Sequence, residues 1–200
     1  MLHEKLKSYT LILASQSPRR QELIKGLDVA FTVAAPYHVD ETFPAAMPKD
    51  EVPVFLARLK SERYPQALGT KDILITADTL VWCKNEFLGK PKDEADARRM
   101  LRLMSGSVHE VLTGVCLRSS QKTVTFLSST QVRFRQLGED EISYYLSAYR
   151  PYDKAGAYGI QEWIGYAAIE RIEGSYYNVM GLPIQRLYVE LAKLTESLAC

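Results

Sequence analysis

The sequence predicts an α/β fold with a mixed central β-sheet flanked by helices. Short, uninterrupted apolar runs such as residues 11–14 and 73–77 have the character of strands buried on both faces. Other stretches carry apolar residues at helical spacing, as Val52, Phe55, Leu56 and Leu59 do. The two kinds of element are interspersed without the regular alternation that a doubly wound parallel sheet requires. A chain of 200 residues with 46% hydrophobic and 24% charged side chains has the composition of a globular protein and enough length for a real core. No repeat, low-complexity stretch or composition break marks a linker, so residues 1–200 are expected to form a single domain.

The first strand, residues 11–14, runs into Ser17, placed to cap a helix, and Pro18, suited to its first position. That short helix carries Leu23, Ile24 and Leu27, with Gly26 near its end as a left-handed stop. Residues 30–34 suggest a second strand, and Pro36, Pro44 and Pro48 then mark a long loop. A helix is expected over about 53–64 and a buried strand over 73–77. Residues 80–84 are expected to pair with Phe87 and Leu88 through a turn at Asn85. Asp93 opens a further helix, acidic in its first turn and basic later (Arg98, Arg99, Arg102), which ends at Gly106. Residues 108–117 and 123–133 suggest a long hairpin. A helix over 139–148, a strand over 166–172 and a closing helix over 183–194 complete the chain.

Charge narrows the function. Lys plus Arg (25) nearly balances Asp plus Glu (24), so no overall field exists to hold nucleic acid or an anionic membrane. Neither is expected as a partner, and any anion site must be local. Cys83, Cys116 and Cys200 suit neither a disulfide framework nor a paired metal motif, which points to a reducing compartment. The apolar run at 11–14 is too brief for a signal-peptide core, and no later stretch has the length of a membrane span. Cytoplasmic localisation is the expectation.

Four segments have the residue types for chemistry. In Ser15-Gln16-Ser17-Pro18-Arg19-Arg20, two hydroxyls and two arginines sit where a strand turns into a helix, a place that favours anions. The arginines there either meet a phosphate or lie solvated and paired with surface carboxylates. Asp78 ends an apolar strand, where it is a base, a metal ligand or a turn-forming aspartate. Lys90 stands between Gly89 and Pro91, in a phosphate-facing or a plain surface turn. The glycine-containing loop 153–161 either approaches a ligand closely or is a tight connection. The phosphate loop GxxxxGK[ST], the GxSxG elbow and the HExxH helix are all missing. With only His3, His38 and His109 in the chain, carboxylates acting with magnesium or manganese remain.

Taken in order, SQSPRR at 15–20, the lysine of LARLK at Lys60, ADT at 77–79, GKP at 89–91 and DKAGAYGIQ at 153–161 resemble the Maf-like family. These are nucleotide pyrophosphatases related to the septum formation inhibitor, and GSYYNVMGLP at 174–183 looks like their closing signature. The resemblance implies a nucleotide-binding cleft of the Maf/ITPase-like kind, a divalent metal (Mg2+ or Mn2+), and cleavage between the α and β phosphates. It makes Asp78 the proton acceptor and links Arg19, Thr79 and Gln161 to base selectivity. Lys60, Lys90 and Lys154 become basic residues of the site, and Asp40 with Glu41 an acidic pair near the metal. Ser15, Ser17, Arg20, Asp153 and Gly156 complete the expected substrate contacts. The DKAGAYGIQ form is similar to the branch acting on dTTP and UTP, whereas the branch acting on 7-methyl-GTP has a different loop. One departure is Glu162-Trp163 after Gln161, where small residues are commoner. The family also implies a homodimer. The competing readings are a nucleotide-binding regulator of cell division that needs no turnover, and the same chemistry on modified bases such as 7-methyl-GTP.

Elementary electrostatics agrees with the resemblance. A triphosphate carries about four negative charges, which arginine and lysine side chains offset most strongly in a cleft of reduced dielectric. Gln161 offers both a donor and an acceptor, matching the adjacent N3–H and carbonyl of uracil or thymine.

Overall fold

The computed structural model describes residues 1–198; Cys200, one of the three cysteines, lies outside them. Seven strands form one sheet in the order β2-β1-β3-β5-β6-β7, with β4 paired to β3. The strand β1 (Thr10–Leu13) is parallel to β2 (Thr32–Val33) and to β3 (Asp72–Cys83). By contrast, β4 (Glu86–Leu88) is antiparallel to β3, and β7 (Ile169–Glu173) is antiparallel to β6 (Thr123–Phe134). The expected mixed sheet is therefore present, completed by β5 (Val108–Arg118). The chain divides into two compact units. The strands β3, β5 and β6 each supply residues to both.

The first unit holds Met1–Asp78, Thr113–Ser128 and the residues from Gly181 on. Its helices are α1 (Leu2–Leu6), α2 (Pro18–Lys25), α3 (Val52–Glu62) and α8 (Ile184–Leu198). No element was expected at α1, whose Leu2 and Leu6 are buried at i, i+4 spacing while Lys5 pairs with Glu196 of α8 at 2.5 Å. In α2, Pro18 opens the helix as expected, but the Ser17 hydroxyl makes no capping bond. The Ser17 N–H donates instead to Ser15 Oγ at 3.3 Å. Gly26 is not the left-handed stop: its φ is −64°, and Asp28 takes the positive φ of 54°. A short polar side chain tolerates that conformation.

One face of α3 buries Val52, Leu56 and Ala57, and its start lies against β5. The fit requires Gly114, because a Cβ there would stand 2.1 Å from the Pro53 carbonyl oxygen. Further along the helix, Thr76 of β3 donates to the Ala57 carbonyl at 2.6 Å. Thr76 and Asp78 share one strand face, since side chains alternate with period two. This register brings the next turn of α3, with Lys60, over Asp78.

The second unit holds Thr79–Leu112 and Ser129–Met180. Two strands were expected within residues 73–84, yet β3 runs through as one strand of 12 residues. The polar Ala77-Asp78-Thr79 step does not break it, because backbone pairing continues and Asp78 is paired with Lys60. Lys84 and Asn85, with φ of 48° and 64°, make the tight turn into β4. The helix α4 (Glu94–Met104) begins as the sequence expects: the Asp93 carboxylate accepts from the Asp96 N–H, and Gly106 has φ 64°. Next comes α5 (Glu139–Tyr149), followed by a 3₁₀ turn over Ala155–Ala157.

The strand expected over 166–172 is instead split between α6 (Trp163–Ala168) and β7. Gly165 permits this, since a Cβ there would meet the Ile160 carbonyl oxygen at 1.7 Å. Within the closing signature lies α7 (Tyr176–Val179). Ser175 caps it, and buried Asn178 donates to the Val111 carbonyl and to Thr130 Oγ1, each at 3.0 Å.

Candidate active site

In the first unit the geometry converges on Asp78. Its carboxylate is nearly buried, and Lys60 Nζ lies 2.5 Å from one oxygen and 3.0 Å from Glu41 Oε1. Tyr37 steadies the α3 backbone at this point, its hydroxyl donating to the Lys60 carbonyl at 2.7 Å. Burial pushes the Tyr37 phenol up to about 12, so it remains a donor. Two carboxylates from separate segments thus share one ammonium.

Arg20 approaches from α2. Its Nε donates to the Gly181 carbonyl and its guanidinium to the Ala77 carbonyl, both at 2.8 Å. Burial lowers the Arg20 pKa, while Asp78 opposes that shift. This arginine braces the backbone at the step into Asp78. Ser15 serves the same local frame, its Oγ accepting from Arg20 at 3.4 Å as well as from the Ser17 N–H. Arg19, on the first turn of α2, is half-buried and close enough to Arg20 to lower its pKa electrostatically. Asp40 and Glu41 diverge: Asp40 lines a shallow groove with His38, Phe55 and Arg63, whereas Glu41 turns to Lys60.

No group of three or more His, Cys, Asp or Glu residues arranged to hold a metal ion occurs among the described residues. The donors that do share a cation are Glu41 and Asp78, and their chemistry fits magnesium or manganese. Such ions are bound through one or two carboxylates plus substrate phosphates.

In the second unit, Thr79 is half-buried on β3 and Lys90 is exposed beyond β4. Gly156, with φ 69°, donates its N–H to the Gly89 carbonyl at 3.0 Å, so the two glycine motifs are tied together. A buried lysine dominates this loop. Lys154 Nζ is 2.7 Å from Asp153 and 3.1 Å from Glu162. The Gln161 Oε1 is buried and has no hydrogen-bond partner among the described residues. Behind the loop, Tyr158 meets His109 Nε2 at 2.7 Å.

Sequence reasoning passed over Tyr145, Glu162 and this histidine as contributors. Only Glu162 left a signal, as a departure from the family pattern.

Residues 10–194 match the family model described as Maf-like protein, and the chain belongs to that family. It is 52% identical to the dTTP/UTP pyrophosphatase of Porphyromonas gingivalis, over 97% of this chain and 98% of the relative. The dTTP/UTP pyrophosphatases of Parabacteroides distasonis and Bacteroides fragilis are 50% and 51% identical, each over 94% of this chain and 97% and 98% of their own length. Among solved structures, a HAM1 protein from Coxiella burnetii covers 92% of this chain and 99% of its own at 14% identity. Its TM-score of 0.46 is too loose a likeness to carry weight.

Proposed function

We propose that this chain hydrolyses nucleoside triphosphates, dTTP and UTP foremost, to the monophosphate and pyrophosphate, with Asp78 as the proton acceptor. One observation carries the reading: a nearly buried aspartate in the family's ADT motif is paired to Lys60 at 2.5 Å, with Glu41 on the same ammonium. Relatives at about half identity over nearly their full length, all named for this activity, support it.

In this reading Asp78 removes a proton from water as its oxygen bonds to the α phosphorus. The bond from that phosphorus to the bridging oxygen breaks, and pyrophosphate leaves. Lys60 orients the carboxylate and offsets its charge, while Arg20 holds the strand backbone beside it. A divalent ion held by Glu41 and Asp78 would supply polarisation of phosphate oxygen and water when bound. Arg19, Lys90 and Lys154 enter as phosphate ligands, and Thr79 as a selectivity residue, through their motifs. Gln161 enters with Thr79 as a selectivity residue through its motif, its amide offering both a donor and an acceptor to a base with an N3–H beside a carbonyl.

The same proposal places the enzyme in the cytoplasm, without nucleic acid or membrane as partner, as a homodimer. Near balance of charge supports the absence of nucleic acid and anionic membrane among its partners. No helix of the described residues is long and apolar enough to cross a membrane.

The test is a panel of nucleoside triphosphates with magnesium or manganese, scored for monophosphate and pyrophosphate. Orthophosphate as product would overturn the assigned bond. Asp78→Asn should lower turnover by at least about a hundredfold with nucleotide binding retained. Unchanged turnover removes Asp78 as the base, and binding without turnover in the wild-type chain would favour a regulator.

A further inference from the structure

Within the second unit Glu162 closes a chain of polar contacts. One carboxylate oxygen is 3.1 Å from Lys154 Nζ, which also meets Asp153 at 2.7 Å. The other accepts from the Tyr145 hydroxyl, which itself accepts from the Gly159 N–H at 3.0 Å. Tyr145 is fully buried, and the side chains of Lys154 and Glu162 are only 10% and 18% exposed, so neither partner is free to swing. Gly159 leaves the necessary room, since a Cβ there would stand 2.8 Å from Glu162 Cδ and 3.0 Å from Lys154 Cε. Burial and the bond to Glu162 hold the Tyr145 phenol far above its ordinary value, which keeps it a donor throughout the working pH range.

An ammonium has three donors. Two carboxylates take two of them, which sets the direction of the third. The net charge of Asp153, Lys154 and Glu162 is negative, so Glu162 does not serve by attracting a polyanion. Its gain is order: a long, flexible side chain is immobilised on folding rather than when the substrate binds.

Resting on the proposed activity, we infer that Glu162 is a positioning residue for Lys154, aiming its remaining N–H at a phosphate oxygen of the substrate. Placement matters most where charge develops, so the effect belongs in kcat rather than in KM.

The experiment compares wild type, Glu162→Gln, Lys154→Met and the double variant on the triphosphate that wild type cleaves best. Glutamine keeps an acceptor for Tyr145, and thermal unfolding checks that the fold is intact. Glu162→Gln should lower kcat about tenfold with KM unchanged or reduced, and should have no further effect once Lys154 is Met. Equal losses in both backgrounds, or a raised KM at unchanged kcat, would overturn the inference. If wild type cleaves no triphosphate, the proposed activity falls and the inference falls with it, whereas turnover in wild type with equal losses in both backgrounds removes only the inference.

Discussion

Replacing Lys60 by Met isolates the ion pair at the candidate active site. The substitution keeps an unbranched chain of similar length and leaves the Tyr37 bond to the Lys60 carbonyl in place. It strips a nearly buried carboxylate of a partner 2.5 Å away. Breaking a fully buried pair costs about 3–5 kcal/mol. Two observations reduce that figure here: the Lys60 side chain is 17% exposed, and Arg20 still acts on Asp78. A loss of about 2–3 kcal/mol is therefore expected at neutral pH, or roughly 5–10 °C in unfolding temperature for a chain of this size. Glu41, whose side chain is 51% exposed, should add little because water replaces its partner. The double variant Lys60→Met/Asp78→Asn should recover most of the loss, since no buried charge is then left alone. Urea unfolding of the three proteins measures this directly. A single variant within about 0.5 kcal/mol of wild type, or a double variant no more stable than the single, would refute the claim that Asp78 depends on Lys60.

Gly114→Ala should destabilise the fold by about 3 kcal/mol or more, because the Pro53 oxygen at 2.1 Å must retreat by over 1 Å to reach ordinary contact. The displaced α3 carries Lys60, so turnover should fall as well, and denaturant unfolding together with the nucleotide panel reads both. His109, 2% exposed, has its pKa pushed by burial from 6.5 down to about 3. The unfolded chain binds the proton first as the medium is acidified, so stability is full above pH 6.5 and falls between 6.5 and 3. At pH 5 the loss from this group should be about 2 kcal/mol, and His109→Phe should abolish that part of the dependence in urea titrations at pH 7 and 5.

Residues whose conformation is dictated by neighbours in sequence were legible without coordinates. Pro18 opening α2, the Asp93 cap, the Lys84-Asn85 turn and the left-handed Gly106 all follow from local sterics and hydrogen bonding. So did the mixed sheet, because apolar runs and helical spacing report burial directly. The continuous β3 and the split between α6 and β7 were decided elsewhere, by strand pairing and by the close approach at Gly165 that no local pattern records. Burial also separated neighbours of the same residue type. Arg20 is committed to two carbonyls, and Glu41 turns to Lys60 while Asp40 faces a groove.

By itself the sequence determined the fold class, the family and the motif residues, since residue type and spacing are properties of the chain. Only the tertiary structure decided which charges meet. Lys60 stands 18 residues from Asp78, and Tyr145 stands 17 from Glu162. Folding brings each pair within hydrogen-bonding reach, where removal from water makes the contact strong and its loss costly.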